Sequence, residues 1–417
     1  MKIRQGDNAV HYSRPAVILG LSANGLSVAR SLGRKKALVI GLDRSPLGPA
    51  AYSRYVKKVI GIPPPEPDWE AALVRTLVSL SKDLGVKPVL FPTADEYVLF
   101  LSVNRVKLSD HYEFIVPEHR IVETFLDKKL TSEFCLRNNI LHPTTFNIES
   151  DQQWENALGS VKFPCIVKPQ DSHLWRKYFF GRKVIVVNNE EELIDIFHKV
   201  SELALKVMVQ QVVPGADSDV YQYLAFCDRE SNRLASFCCH KIRQYPPNFG
   251  IACLSESAYE PTIAAMGEKI LDVLKYQGMI ALEFKFDQES KQPVFIEANL
   301  RTSYFGELAV AAGVDFPDII YSYLVFNSRL VRERNYKLGV KLWNMELDLG
   351  CLSRLRKSGQ MSTLDWINGL KAKKITHTYL AFDDYRPWVS VYSRLLRTFF
   401  SKIFYINKKK DIQDSIK

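Results

Sequence analysis

Two short stretches near position 290 restrict the fold more than any other part of the chain. "GMIALEFKFD", residues 278–287, and "FIEANLRTS", residues 295–303, both alternate apolar with polar side chains. In a strand, side chains two apart share a face. The first stretch therefore sets Glu283 and Lys285 on one side and Leu282, Phe284 and Phe286 on the other. The second opens with Phe295 and Ile296 and then lines up Glu297, Asn299 and Arg301. The polar turn sequence "DQESKQP" between them makes residues 279–300 a β-hairpin. Centred on Ser290, that hairpin brings Glu283 directly opposite Glu297. Like charges facing each other about 5 Å apart destabilise a strand pair, so this face needs either solvent or a cation. Two carboxylates with the Asn299 amide oxygen beside them suit Mg²⁺, which fills its remaining positions with water and phosphate oxygens. By itself the hairpin reads either as a Mg²⁺-nucleotide site or as exposed acids on a solvated sheet face.

Upstream, "PAVILGLSANGLSVARSLGRKKALVIGLDRS", residues 15–45, reads as strand, glycine turn, helix and a second strand ending at Asp43. This is the start of a parallel α/β unit, and "VKPVLFPTADEYVLFL" continues it. The turn lacks the G-x-G-x-x-G that close approach to a pyrophosphate needs, so the spacing favours a structural or substrate-side domain over an NAD site. In "DKKLTSEFCLRNNILHPTT" the apolar positions Leu130, Phe134 and Leu136 fit a helix that stops near Asn139. From 120 to 325 helices and groups of strands alternate, which describes two α+β lobes rather than one doubly wound sheet.

Two further segments carry polar groups in apolar surroundings. Lys168 stands in "FPCIVKP", where it either meets an anion such as phosphate or reaches solvent from a strand end. "VQQVVPGADSD" is a strand running into a Pro-Gly turn followed by Asp217 and Asp219. Its backbone can read an adenine edge while an acid takes ribose hydroxyls, or it is an ordinary polar turn.

The 417 residues suffice for two or three domains. The N-terminus lacks the apolar core of a signal peptide and nowhere do 18 apolar residues run together, so a cytoplasmic chain is expected. Seven cysteines without C-x-x-C spacing read as buried reduced thiols, and eight histidines without paired ligand spacing disfavour transition-metal chemistry. The net charge of +10 is unevenly distributed: residues 328–417 carry 19 lysines and arginines against 8 acids, net +11. The body is therefore near neutral, which argues against nucleic-acid binding and for a basic C-terminal extension. In that extension Trp388, Val391, Tyr392, Leu395, Phe399 and Ile403 form one helical stripe flanked by Arg394, Arg397 and Lys402. Such a helix either packs on the body or lies on the inner face of a membrane.

In order, "DKKLTSEFCLRNNILHPTT", "FPCIVKP", "VMVQQVVPG", "GMIALEFKFD" and "FIEANLRTSYFGELAVAAGVDFP" resemble the ATP-grasp superfamily over roughly residues 15–325. The last is close to its E-x-N-x-R signature, and "HKIRQYPPNFG" looks like the subgroup of predicted ATP-dependent carboxylate-amine ligases that includes D-aspartate ligases. The resemblance implies an ATP-grasp fold, two α+β lobes around the nucleotide, preceded by a Rossmann-like domain and followed by a basic helical extension. The expected units are residues 1–117, a small lobe 118–205, a large lobe 206–327 with the Mg-ATP site, and 328–417.

By the same resemblance Lys128 and Lys168 hold ATP phosphates. Gln210, Gln211, Val212 and Val213 form the hinge that binds adenine, and Asp217 or Asp219 is the ribose acid. Glu283, Glu297 and Asn299 ligate one or two Mg²⁺ ions, for which Mn²⁺ can stand in. Arg301 steadies the acyl-phosphate or the substrate carboxylate, and Lys241 and Arg243 face the same phosphates. Gln211 stands where relatives commonly have Glu, and the loop "DSHLWRKYFFGRK" closes by packing and by Arg176 and Lys177 rather than through glycines. The implied reaction joins a small-molecule carboxylate to an amine through an acyl-phosphate. Its alternatives are the same fold with a kinase-like or carboxylase-like acceptor, and a nucleotide-binding protein without turnover.

Overall fold

The apolar runs of the first hundred residues fold as four parallel strands, β1 (Ala16–Leu19), β2 (Val39–Asp43), β3 (Val56–Gly61) and β4 (Val89–Pro92), ordered β3-β2-β1-β4. The computed structural model from which this is read describes residues 12–45, 47–64, 67–169, 178, 184–203, 205–329 and 335–397. β1 is buried along its whole length, as a strand covered on both faces must be. Gly20 ends it at φ +97°, and helix Ala23–Arg34 begins three residues on. A Cβ at Gly25 would lie 2.2 Å from the Gly20 carbonyl oxygen, so this turn's glycines serve close helix–strand packing. Asp43 accepts a hydrogen bond from the Leu21 backbone N–H at 2.5 Å and closes the same turn.

The small lobe is an antiparallel sheet of β5 (Thr145–Ile148), β6 (Cys165–Pro169), β7 (Ile185–Val187) and β8 (Val207–Gln211), ordered β5-β8-β6-β7. Its helix Glu190–Glu202 starts with Asn189 accepting from the Glu192 N–H and with three glutamates at its positive end. Ile148, Trp154, Val167, Leu193 and Val209 form a core of its own. The lobe therefore spans about 145–211 and not 118–205. Helices His119–Leu126 and Lys128–Arg137 bury Ile121, Val122, Phe125 and Cys135 in the main-body core instead. Leu130 and Leu136, expected on the packed face, are exposed; Thr131 and Cys135 occupy it.

The large sheet contains β9 (Val220–Cys227), β10 (Arg233–Tyr245), β11 (Ile251–Ser257), β12 (Gly278–Phe286), β13 (Pro293–Asn299), β14 (Val340–Trp343) and β15 (Lys374–His377). Its order is β13-β12-β9-β10-β11-β14-β15. The last two strands correct the boundary expected at 327. β14 pairs antiparallel with β11 at Leu254↔Trp343, and β15 pairs parallel with β14, so this part of the basic segment extends the sheet. Helix Met345–Lys357 then packs on β10 and β11.

Two cores join the N-terminal sheet to the large one. One holds Leu19, Leu90 and Phe100 with Tyr223, Ile280 and Phe295; the other holds Ile18, Leu26 and Phe91 with Leu224, Phe237, Leu308 and Tyr321. β12 alternates between them. Ile280, Leu282 and Phe284 point into the first core, and Met279 and Ala281 into the second. Glu283 and Lys285 continue that second face beyond its apolar cover and into an open cleft.

Candidate active site

β12 and β13 pair Glu283 with Glu297, but not by uninterrupted pairing. From the turn inward the pairs are Phe286↔Pro293, Lys285↔Val294 and Phe284↔Phe295, which if continued would put Ile296 opposite Glu283. A bulge between Glu283 and Phe284 passes over Ile296 and brings Glu297 there. Ile296 and Glu297 consequently both line the cleft, an apolar wall next to an acid.

Around the acids the neighbouring strands supply partners. The Gln222 amide on β9 donates to Glu283 Oε2, and Lys241 Nζ on β10 lies 3.1 Å from that oxygen. Lys241 also donates to Gln244 Oε1 at 3.3 Å. Burial pushes the Glu283 carboxyl up, Lys241 draws it down, and Glu297 pushes it up again. Among the described residues Glu297 has no cation within ion-pair distance and accepts from Asn299 Nδ2 at 3.2 Å. Asn299 Oδ1 in turn accepts from Arg301 Nη2 at 2.9 Å, so the row of alternate residues is a hydrogen-bonded chain. Asp95, the first residue of helix Asp95–Val103, anchors its end: Arg301 Nε lies 3.3 Å from Asp95 Oδ2 and the Leu300 N–H donates to Oδ1 at 3.3 Å.

Across the cleft, Lys168 Nζ on β6 donates to Gln210 Oε1 at 2.8 Å, and Gln210 Nε2 donates to Thr145 Oγ1 at 2.8 Å. Lys128 Nζ donates to the Pro169 carbonyl at 3.2 Å. Lys128 opens its helix, and a cation at a helix's positive end is disfavoured, so helix stability does not account for it. Burial lowers both ammonium groups, Lys168 to about 8; Glu297 draws both up, and Lys128 presses Lys168 further down. Lys128, Lys168 and the stretch Gln210 to Val213 line, with the acids opposite them, one cleft of about 600 Å³ between the lobes. Ile166, Val220 and Ile296 form an apolar wall, and Asn24, Ser303 and Tyr304 line it as well. The size suits a nucleotide-sized molecule. Two carboxylates and an amide oxygen are hard donors fit for Mg²⁺, and the two lysines opposite them fit an anionic polyphosphate.

Three expected site residues are not in the cleft. Arg243 does not face it: Nε and Nη2 donate to Asp348 Oδ1 and Oδ2, each at 2.8 Å, in a buried ion pair. That carboxylate also accepts from the Trp343 and Trp366 indoles and from Cys253. Asp217 accepts from Gln244 Nε2 at 2.6 Å and from the Asn248 N–H at 3.1 Å. Asp219 accepts from the Ala216 N–H at 2.7 Å and from Gln288 Nε2 at 2.8 Å. Both acids hold turns together, and neither lines the cleft. The loop "DSHLWRKYFFGRK", with Arg176 and Lys177, lies outside the described residues apart from Tyr178. Gln222, Gln244, Asp95 and Asp348 were not found from the sequence. Gln222 had a signal, a lone amide inside the apolar strand "VYQYLAF". Asp95 and Asp348 had none, since their partners are 206 and 105 positions away.

No protein-family model matches the chain. A D-aspartate ligase of Enterococcus faecium (strain Aus0004) is 23% identical over 331 residues, covering 76% of this chain and 77% of that protein. Among solved structures, N5-carboxyaminoimidazole synthetase from Staphylococcus aureus superposes with a TM-score of 0.62 at 16% identity, covering 84% and 87% of the two chains. The biotin carboxylase domain of Hydrogenobacter thermophilus 2-oxoglutarate carboxylase, in complex with ADP, its magnesium salt and bicarbonate, gives 0.58 at 14% identity over 78% and 73%. L-amino acid ligase from Bacillus licheniformis gives 0.55 at 15% identity over 75% and 74%.

Proposed function

Because the chain has the ATP-grasp fold, we propose that it is an ATP-dependent carboxylate–amine ligase. The observation that carries the reading is the convergence of Glu283, Glu297 and Asn299 from one lobe with Lys168 from the other and Lys128 on a single cleft. The D-aspartate ligase and the L-amino acid ligase support an amino acid as one substrate.

In the first step an oxygen of the substrate carboxylate would attack the γ-phosphorus of ATP. The bond to the β-phosphate oxygen breaks, giving an acyl-phosphate and ADP. An amine nitrogen then attacks the acyl carbon, phosphate leaves with its bonding pair, and the nitrogen gives up a proton as the amide forms. Lys128 and Lys168 would hold phosphate oxygens, and the backbone of Gln210 to Val213 would meet the adenine. Arg301, tethered by Asp95 and Asn299, would steady the acyl-phosphate, and Lys241 would stand beside the same phosphates. Glu283, Glu297 and Asn299 would hold one or two Mg²⁺ ions, with Mn²⁺ able to substitute; the metal supplies charge neutralisation at the phosphates. No proton-transferring histidine is needed, since positioning and charge do most of the work. Reliance on ATP supports a cytoplasmic reaction.

An ADP-release screen of amino acids and other carboxylates against amines tests the reading. We expect release only when a carboxylate and an amine are both present, and a loss of at least about 100-fold in Glu297→Ala. Equal release by parent and variant with every pair would reject it. The likeness to the biotin carboxylase domain supports a second reading, a carboxylase-like acceptor, which predicts release that depends on bicarbonate and not on an added carboxylate.

A further inference from the structure

The last described helix, residues 386–397, has two apolar strips. Trp388, Val391 and Tyr392 are partly buried, so most of the described part of the expected stripe is turned inward, while Phe399, Ile403 and Lys402 lie outside the described residues. Leu395 of that stripe is exposed. A second strip begins just before the helix: Tyr385, Val389 and Leu396 are 58%, 46% and 56% exposed, and their spacing of four and seven puts them on one face. Arg386 and Arg397, both exposed, run along its edge.

Phe382, three residues before Tyr385, is 98% exposed, and the loop that carries it is firmly held. Asp383 accepts from Arg34 Nε at 2.8 Å and from the Tyr55 hydroxyl at 2.7 Å. Asp384, with no exposed side-chain surface, pairs with the equally buried Arg30 at 3.1 Å and accepts from Ser53 Oγ at 2.7 Å. With the loop anchored through the two aspartates that follow Phe382, its ring faces outward. Arg54 and Lys57 share a hollow with Phe382, Tyr385, Arg386 and the two aspartates Asp383 and Asp384, whose carboxylates are taken up by Arg34 and Arg30.

We propose that this face, with Phe382, Tyr385, Val389 and Leu396 bordered by Arg386 and Arg397, docks on an anionic lipid bilayer. Aromatic and aliphatic side chains ringed by arginine match an interface that is apolar inside and negatively charged at the headgroups. Charge favours lipid over a neutral partner: from Phe382 to the last residue the sequence carries 8 lysines and arginines against 4 acids, net +4, with Lys402, Lys408, Lys409 and Lys410 among them. No single helix among the described residues is long and apolar enough to cross a membrane. The bent pair Gly306–Ala312 and Phe316–Phe326, which passes by length and composition alone, buries Leu308, Ile320 and Tyr321 in the core. None of the docking residues lines the cleft, so the proposal does not depend on the ligase reading.

Co-sedimentation of the full chain with vesicles of phosphatidylcholine alone, and of phosphatidylcholine mixed with phosphatidylglycerol, tests it. The parent binds the anionic vesicles, not the neutral ones, and high salt weakens the binding. Each arginine near an anionic surface is worth about fivefold, so Arg386→Gln with Arg397→Gln lowers the partition coefficient about 25-fold. Phe382→Ser with Leu396→Ser lowers it at least about tenfold while the thermal midpoint is unchanged, since both side chains are exposed. Failure of the parent to bind, equal binding to neutral vesicles, or variants that bind like the parent would overturn the proposal. So would lipid-free self-association of the parent that the variants abolish, which marks a protein-docking surface.

Discussion

Lys168 shows how one ammonium group can serve binding and oppose folding. It sits in the apolar strand β6 with Gln210 as its neutral partner, and burial holds it down to about 8, below the ordinary lysine range. The lowered value means that the unfolded chain binds this proton more tightly than the folded one. The folded state therefore carries the cost of the charged form below about pH 8, and that cost disappears as pH rises toward the ordinary lysine range. Affinity for an anion runs the other way, because the neutral amine attracts no phosphate. ATP affinity of the free protein, measured by calorimetry, should fall as pH rises through about 8, while this group's contribution to stability improves. Lys168→Met should remove that inflection, weaken ATP binding and stabilise the fold by on the order of 1 kcal/mol. Affinity that stays flat across pH 8 would contradict the assignment of Lys168 to the phosphates.

At the scale of elements, β10 carries two cations with different roles. Lys241 and Arg243 are two apart in sequence, yet Lys241 reaches Glu283 while Arg243 locks β10 to helix Met345–Lys357 through Asp348. The irregular register of β10 against β11 between Lys241 and Gln244 accompanies this divergence. Removing one partner of a buried ion pair leaves the other charge stranded, at a cost of about 3–5 kcal/mol. Arg243→Met and Asp348→Leu should each destabilise by that amount in chemical denaturation, and the double variant should recover part of the loss. Singles whose effects simply add would show that the pair is not coupled. The bulge in β13 belongs to the same scale. It supplies one extra residue, Ile296, and so lets a strand that buries Phe295 present both Ile296 and Glu297 to the cleft.

Over the whole molecule, the large sheet and the N-terminal sheet share their cores, while the small lobe has its own. The cleft lies between a fixed body and a lobe that packs independently, the arrangement that allows closure around a bound molecule. The C-terminal segment belongs to the body. It contributes β14 and β15, and its Asp348 and Asp384 neutralise buried Arg243 and Arg30. A chain ending at residue 327 should therefore lose cooperative thermal unfolding or fail to stay in solution, even though the residues lining the cleft are all retained. A sharp transition at the parent's midpoint would mean that the segment is a dispensable appendage after all.

The sequence alone determined what depends on short-range periodicity. Alternation over "GMIALEFKFD" and "FIEANLRTS" made the hairpin and the facing pair Glu283 and Glu297 legible, and continuous apolar runs marked β1, β2 and β6. A period of two is a property of neighbouring residues, so no knowledge of the rest of the chain is needed. What required the tertiary structure was partner choice at long separation. Arg243 meets Asp348, Arg301 meets Asp95, Asp217 meets Gln244 and Asn248, and Asp219 meets Gln288 as well as its own turn. Charge and residue type are the same whether a side chain faces a ligand or a salt-bridge partner 105 positions away; packing alone selects between them. The four-residue strands β14 and β15 were hidden for a related reason. Each is too short to establish a period and carries a lysine, so a segment that completes the sheet reads as a basic tail.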